Sequence, residues 1–212
     1  MKKLILATAL LASSTAVLAA GLPTVAKPAT PGYIGWDTGI GVLGASQWNT
    51  RYNDTVRGQT GTYEMDGNPI GASIYVGNRF TPYVGAELNF NWLNDIKYKL
   101  LENTAYSYKL KNNYTAFGDG YLYYPAFENF DIFGKAGVGY VHQANEPTGY
   151  AYPYGKTDQL NTFAVNYGAG IGWHYDSLGI RVDYTQYRPT RKIDTMFNIP
   201  DVVGMSILYT WG

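Results

Sequence analysis

Hydrophobic and polar residues alternate with a period of two in segment after segment, and this alternation limits the possible folds more than any other feature. In residues 83–92 the even positions carry Val84, Ala86, Leu88, Phe90 and Trp92, and the odd positions carry Tyr83, Gly85, Glu87, Asn89 and Asn91. Successive side chains of a strand point to opposite faces, so the pattern predicts a strand with one apolar face. About eight such runs occur, near 33–44, 67–78, 82–93, 104–124, 130–142, 161–175, 178–188 and 202–211. The sequence therefore predicts an all-β chain.

The segments between these runs are alternately short and long. Short turns are predicted at 78–81, 125–129 and 176–177, where Pro, Asn, Asp or Ser occur. Polar loops are predicted near 45–66, 94–103, 143–160 and 189–201. Short turns at one rim and long loops at the other are typical of bacterial outer-membrane barrels. A soluble eight-stranded barrel of the lipocalin kind would have the same strand count, and periodicity alone does not say which face points inward.

The positions of the charged residues separate these two alternatives. All six charged residues in the middle of the runs fall on the glycine-rich parity: Asp37, Glu87, Asp119, Lys135, Arg181 and Asp183. A Lys or Arg facing lipid at the bilayer midplane costs about 2–4 kcal/mol, so a lipid-facing parity must lack charge. A soluble barrel would carry such charges outside. The fold predicted is therefore an all-β, eight-stranded, antiparallel up-and-down transmembrane β-barrel in the outer membrane.

A barrel of this size has an interior that is filled by side chains or holds one small ligand. The parity predicted to face inward mixes glycines with large residues, namely Tyr75, Tyr83, Phe117, Tyr121, Tyr123 and Phe133. Alternation of small and large residues fills a narrow lumen. The six charged residues comprise four acids and two bases, so the acids are in excess. Either one acid is protonated, or one acid lies near a rim that water reaches.

The N-terminus has the pattern of a secretory signal. Lys2 and Lys3 precede an apolar stretch at residues 4–11, and Val17 and Ala19 occupy positions compatible with cleavage. The stretch is too short for a membrane anchor, which is the alternative. Residues 1–19 are predicted to be a signal peptide, and residues 20–212 to form a single barrel domain.

Composition excludes several classes of function. Cysteine is absent, the formal net charge is +0, and no pair of histidines has ligand spacing, so no metal, cofactor or nucleic acid is expected. A lipid A-modifying enzyme of the acyl-transfer type would need a histidine with a serine and an acid. The two histidines are expected at a loop junction (His142) and beside a short turn (His174), with no such partners evident. The chain is therefore predicted not to be an enzyme.

With these runs in place, the chain resembles the transmembrane domain of the OmpA family. The resemblance is densest in residues 71–93, and it continues through residues 131–137, 179–184 and 204–211. It implies an outer-membrane barrel with outer-membrane lipids, lipopolysaccharide and the barrel assembly machinery as partners. Larger family members carry a peptidoglycan-binding domain after the barrel, and because this sequence stops at Gly212 that domain is expected to be absent. In the family an aromatic final residue is read during assembly, whereas here Gly212 follows Trp211.

The resemblance also implies particular charges in the lumen. An acid on the third barrel strand pairs with an arginine on the seventh in this family, and Glu87 and Arg181 match those positions. A second family pair, a lysine on the fourth strand and a glutamate on the sixth, corresponds here to Tyr121 and Gly172, so it is expected to be missing. Glu87 and Arg181 are predicted to form a structural ion pair.

Three hypotheses for function remain open. The first is a non-enzymatic barrel that supports envelope integrity and displays surface loops for adhesion or for recognition by a host or phage partner. Its candidate contact residues are Tyr150, Tyr152 and Tyr154, since exposed tyrosines give large contact area at low entropic cost. The alternative for these tyrosines is that they only lie on the barrel rim. The second hypothesis is a narrow, porin-like pore for small solutes, and the third is the lipid A-modifying enzyme.

Overall fold

The computed structural model of the chain describes residues 34–45, 51–56, 59–102, 106–149, 158–190 and 200–211. The predicted signal peptide, residues 1–19, and the three loop tyrosines Tyr150, Tyr152 and Tyr154 lie outside these ranges. Eleven strands are present in the described part of the chain. They are β1 (Gly35–Ala45), β2 (Arg51–Val56), β3 (Gln59–Asp66), β4 (Ile70–Thr81), β5 (Val84–Leu93), β6 (Ile96–Leu100), β7 (Tyr106–Phe127), β8 (Phe130–Gly149), β9 (Asp158–Tyr175), β10 (Leu178–Pro189) and β11 (Val202–Trp211).

Eight of these strands close into the predicted antiparallel barrel, and this fold is confirmed. The order around the barrel is β1, β4, β5, β7, β8, β9, β10, β11, and β11 pairs again with β1 from Trp36↔Trp211 to Ala45↔Val202. Closure leaves no unpaired edge in the barrel wall, which is the requirement for a sheet inside a bilayer. The described residues include no helical stretch with the length and apolar character needed to cross a bilayer.

The apolar parity faces outward, as predicted. In β5 the side chains of Leu88, Phe90 and Trp92 are exposed, whereas Glu87 and Asn91 are buried. The same division holds in β4, where Ile74 and Val76 are exposed and Tyr75 is buried. An apolar exterior around a polar interior inverts the arrangement of a soluble protein, and it matches a barrel whose outer surface contacts lipid.

Two predictions about the turn end, the rim with the short turns, are wrong. The first turn was expected at 78–81, but β4 continues through Thr81 and the turn is formed by Pro82 and Tyr83. Tyr83, predicted to face the lumen, is therefore 59% exposed. Because β4 extends further, Arg79 belongs to a strand and faces the barrel interior.

Three of the regions predicted to be loops contain strands. Residues 45–66 hold β2 and β3, residues 94–103 hold β6, and residues 143–160 hold the upper parts of β8 and β9. These strands continue the sheet past the barrel wall: β2 pairs with β3, β3 with β6, and β6 with the first residues of β7. The opposite rim, called the loop end here, is therefore an extended sheet over part of its circumference.

Candidate functional site

A buried ion pair crosses the lumen between β5 and β10. Arg181 on β10 lies against Glu87 on β5, with Nη1 2.6 Å from Oε2 and Nη2 3.3 Å from Oε1. The Tyr121 hydroxyl donates a hydrogen bond to Glu87 Oε1 at 3.0 Å, and the Arg181 guanidinium lies 4.1 Å from the centre of the Tyr75 ring. Both ion-pair side chains are buried. The contact combines a charge-assisted hydrogen bond with a cation–π interaction in the middle of the barrel.

A second buried ion pair joins neighbouring positions of the lumen. Lys135 Nζ on β8 is 2.5 Å from Asp183 Oδ2 on β10, and the Thr185 hydroxyl donates to the same oxygen at 2.9 Å. Sequence reasoning placed both charges in the lumen without pairing them. The pairing follows from their positions, since both lie on the inward parity of strands separated only by β9.

Two further acids are buried in the lumen, and one of them, Asp119, is the direct partner of Glu87 in the pairing of β5 with β7. Asp119 accepts a hydrogen bond from the Asn89 amide at 2.5 Å, and it is 2% exposed. Asp37 on β1 is 4% exposed. Neither acid lies at a wet rim, which was one of the two explanations offered for the excess of acids.

An ion pair at the turn end was missed by the sequence analysis. Arg79 Nη1 is 2.7 Å from Asp131 Oδ2, and Nη2 donates to Asp131 Oδ1 at 3.1 Å and to the carbonyl oxygen of Pro82. The guanidinium lies 3.9 Å from the centre of the Tyr123 ring. His174 Nδ1 lies 3.6 Å from Asp131 Oδ2. Extending the predicted strand by three residues, from 78 to 81, would have put Arg79 on the inward parity.

Toward the loop end the lumen becomes apolar. A hydrophobic set called the apolar layer lies there, and the buried Asn91 amide donates a hydrogen bond to the Tyr187 hydroxyl within it; its members are Leu43, Leu93, Phe117, Val141, Ala164, Tyr187 and Val202. The rings of Phe117 and Tyr187 project from β7 and β10 and are 5.3 Å apart. Below this layer, a cavity of about 20 Å³ is bordered by both central ion pairs. This is room for about one water molecule.

Above the apolar layer, the extended strands enclose a separate hydrophobic cluster, the cap core. Its members are Ala45, Tyr63, Met65, Ile96, Tyr98, Leu100, Tyr108, Leu110 and Leu160. Tyr98 stacks on Tyr108 with ring centres 5.1 Å apart. The exposed face of the same strands carries ion pairs, and Glu146 raises the pKa of Lys111 above its usual value through a side-chain hydrogen bond. Backbone N–H groups of Glu102 itself and of Thr62 lower the pKa of Glu102.

The two histidines lie at opposite ends of the barrel. His142 stacks on Tyr114 at 4.5 Å, and its Nδ1 is 2.6 Å from the amide oxygen of Asn161 on the outward face. His174 is beside Asp131 at the turn end. They cannot share one site. The part of the chain that the structure describes contains no cluster of three or more histidine, aspartate or glutamate residues suited to a metal ion.

Comparison with known proteins agrees with the barrel geometry. Residues 35–196 match the OmpA-like transmembrane domain, which is most of the chain. The chain belongs to the OmpA-like transmembrane domain family. This match confirms the resemblance found in the sequence, and it confirms that the protein is located in the outer membrane. In such barrels the short turns face the periplasm and the long loops face outward, so the turn end is periplasmic and the loop end extracellular.

Several relatives of this chain in the OmpA-like family can be compared directly. Outer membrane protein A of Escherichia coli O157:H7 is 29% identical over 207 residues, covering 95% of this chain and 54% of that protein. Outer membrane protein A of Escherichia fergusonii is 30% identical over 212 residues, covering 95% of this chain and 55% of that protein. The chain spans about half the length of these curated relatives. The solved structure of Neisserial surface protein A (NspA) aligns with 83% of this chain and 96% of its own chain, with a TM-score of 0.52 and 8% sequence identity. This similarity concerns the fold alone.

Proposed function

We propose that this chain is a non-enzymatic outer-membrane barrel that supports envelope integrity and displays its extracellular end for adhesion or for recognition by a host or phage partner. The observation that carries the proposal is the cap core, which makes the extracellular end a folded platform. Residues 1–19 act as a signal peptide in this proposal, and the barrel assembly machinery inserts residues 20–212. Tyr150, Tyr152 and Tyr154 belong to the proposed contact surface, in the connection between β8 and β9.

The interior of the barrel supports a structural role over transport. Ion pairs and rings fill the lumen below the apolar layer, and the cavity bordered by Glu87 and Arg181 has room for about one water molecule. An apolar constriction also opposes ion passage, because an ion would have to shed water there. A narrow pore is therefore the weaker alternative.

The experiment uses cells that lack their own OmpA-like protein. They express either the full chain or a variant without residues 148–156. We expect the full chain to restore resistance to detergent and to confer attachment to epithelial cells or adsorption of a phage from a test panel. The shortened variant should retain detergent resistance and lose attachment, because the deletion lies outside the barrel wall. The short turns are too small for a control deletion of equal length. A second variant therefore keeps the full length and replaces Tyr150, Tyr152 and Tyr154 by serine, and its attachment is measured in the same way.

Three outcomes would contradict the proposal. Unchanged attachment by the shortened and the serine variants would remove the display function. Failure of the full chain to restore detergent resistance would remove the role in envelope integrity. A change in the lipid A mass profile on expression would instead favour the enzyme.

A further inference from the structure

A row of directly paired residues crosses five neighbouring strands of the barrel wall. From β5 to β10 its members are Glu87, Asp119, Gly137, Asn166 and Tyr187. Glu87, Asp119 and Asn166 are buried in the lumen. Two of the members, Glu87 and Asp119, are acids at opposed positions, and like charges at such positions destabilise a sheet. The row therefore contains one acid more than the pairing tolerates.

Gly137 allows the side chains on its two sides to meet over β8. A Cβ at this position would overlap Asp119 Oδ1 and would lie 2.9 Å from Asn166 Oδ1. Asn166 is within hydrogen-bonding reach of the Asp119 carboxyl group. Because any larger residue at position 137 would push between them, the glycine is what makes this contact across a strand possible.

The two atoms that meet over Gly137 are both oxygens. Asp119 Oδ1 and Asn166 Oδ1 are buried, and neither has a hydrogen-bond partner among the described residues. An ionised carboxylate and an amide oxygen can only accept, and an unsatisfied buried acceptor is costly. The small cavity of the lumen is bordered by Asn166 but not by Asp119, so a water there could reach only the amide. One proton on Asp119 Oδ1 turns the carboxyl group into a donor and satisfies both oxygens.

The cations near Asp119 are engaged with other acids. Arg181 donates to Glu87 at 2.6 Å, and Lys135 Nζ is 2.5 Å from Asp183 Oδ2. Moving either cation to Asp119 would leave its present partner as an uncompensated buried charge, which is strongly destabilising. A proton neutralises Asp119 without breaking either ion pair.

Titratable groups face Asp119 from three strands, and β9 contributes the neutral Asn166 amide. These groups are Glu87 on β5, Lys135 on β8, Tyr187 on β10 and Tyr121 on the same strand as Asp119. Glu87 is the one that opposes a negative charge on Asp119 from a directly paired position. When two carboxyl groups share a site, one of them tends to keep its proton.

We propose that Asp119 is the protonated acid of the lumen and that its Oδ1–H group donates a hydrogen bond to Asn166 Oδ1. This bond ties β7 to β9 across β8 in the folded barrel. When the pH rises enough to remove the proton, the bond is lost and a second negative charge faces Glu87. The centre of the barrel therefore contains a pH-sensitive contact that weakens in alkaline surroundings.

Proton binding determines the direction of the pH dependence. An aspartate in the unfolded chain ionises near about pH 4. Between that pH and the pH at which folded Asp119 loses its proton, the folded chain binds one proton more than the unfolded chain. The free energy of unfolding falls as the pH rises across such an interval. The variant D119N places an amide donor at the same position and does not titrate, so it is the matched comparison.

The test uses the full chain folded in lipid vesicles. At about pH 7, infrared spectra should contain the carbonyl band of a protonated carboxylic acid, which carbon-13 labelling of aspartate shifts and D119N removes. Urea unfolding should give similar midpoints for the original chain and D119N at about pH 6, and a lower midpoint for the original chain at about pH 9. The control D183N, which removes the acid held by Lys135, should keep the band and lower the midpoint at both pH values.

Three results would overturn the proposal. The first is the absence of a protonated aspartate band in the original chain, which involves no variant. The second is a band that persists in D119N, which would assign the proton to another aspartate. The third is a midpoint difference between the original chain and D119N that is the same at both pH values. Asp119 would then be ionised throughout, with the nitrogen of the Asn166 amide turned toward it.

Discussion

At the scale of single residues, the contact between Arg181 and Glu87 has the strongest expected effect. We propose a structural role for it, because both side chains are buried and the nearest space has room for about one water molecule. Arg181→Ala removes the charged partner of the Glu87 carboxylate, which keeps the hydrogen bond from the Tyr121 hydroxyl. Loss of one partner of a buried pair lowers the free energy of unfolding by about 3–5 kcal/mol. Urea unfolding in lipid vesicles and the temperature at which the folded gel band disappears should both report the loss.

Arg188→Ala is the matched control for this prediction. Arg188 lies on the same strand and pairs with Asp201 at 3.2 Å, but its side chain is 43% exposed. The Arg188 guanidinium is open to solvent, and the buried Asp201 carboxylate keeps hydrogen bonds from the Tyr184 hydroxyl and the Gln186 amide, so the control should lose much less stability than Arg181→Ala. Equal losses in the two variants would show that burial of the Arg181 pair does not set its contribution.

At the scale of elements, the strands of the barrel wall could be predicted and those of the extension could not. Lipid on one side imposes an apolar parity over about ten residues, and this pattern is visible without any knowledge of the fold. In β6, by contrast, Ile96, Tyr98 and Leu100 alternate with Lys97 and Lys99 over only five residues. Such a short run is indistinguishable from a polar loop, because its apolar face is buried by residues distant in sequence.

β7 contains a bulge at Asn112, where the backbone is left-handed with φ of 52° and the pairing with β8 shifts between Lys111 and Tyr114. This bulge made the continuity of β7 invisible in the sequence. Residues on its two sides follow opposite parities, so one strand of 22 residues has two patterns in sequence. The ion pair of Arg79 with Asp131 was missed for a related reason, since the turn was predicted to begin at residue 78 and is formed by residues 82 and 83. Lumen charges were recognised by parity, but their partners depend on which strands face each other across the barrel, and parity does not contain that information.

The extension should behave as a unit that opens without the barrel. Tyr98 is 1% exposed and stacks on Tyr108, so Tyr98→Ala removes a large part of the cap core. Truncation of a buried aromatic costs about 3–5 kcal/mol. We expect trypsin to cleave the variant at Lys97, Lys99 or Lys109, while the folded gel band keeps its resistance to heat. Tyr124→Ala, which truncates a lipid-facing tyrosine, should leave the trypsin pattern unchanged. A parallel fall in heat resistance would mean that cap and barrel form one cooperative unit.

At the scale of the whole molecule, the barrel interior changes character along its axis. Ion pairs occupy the periplasmic and central parts, the apolar layer follows, and the cap core closes the extracellular end. Polar contacts across the lumen hold strands that are distant in the sheet, and the apolar residues exclude water above them. The same arrangement that stabilises the barrel therefore also opposes the passage of ions.

Conductance tests this consequence directly. The Phe117 and Tyr187 rings meet in the lumen from β7 and β10, and replacing both with alanine removes the two aromatic rings of the apolar layer. An ion crossing a narrow, largely apolar constriction must lose part of its hydration, so the original chain should show at most small, infrequent openings in planar bilayers. The double variant F117A/Y187A should open more often, since water can then enter the layer. Phe163→Ala, which truncates a lipid-facing ring on β9, should conduct like the original chain. Frequent openings of the original chain, unchanged in the double variant, would show that the apolar layer is not the barrier.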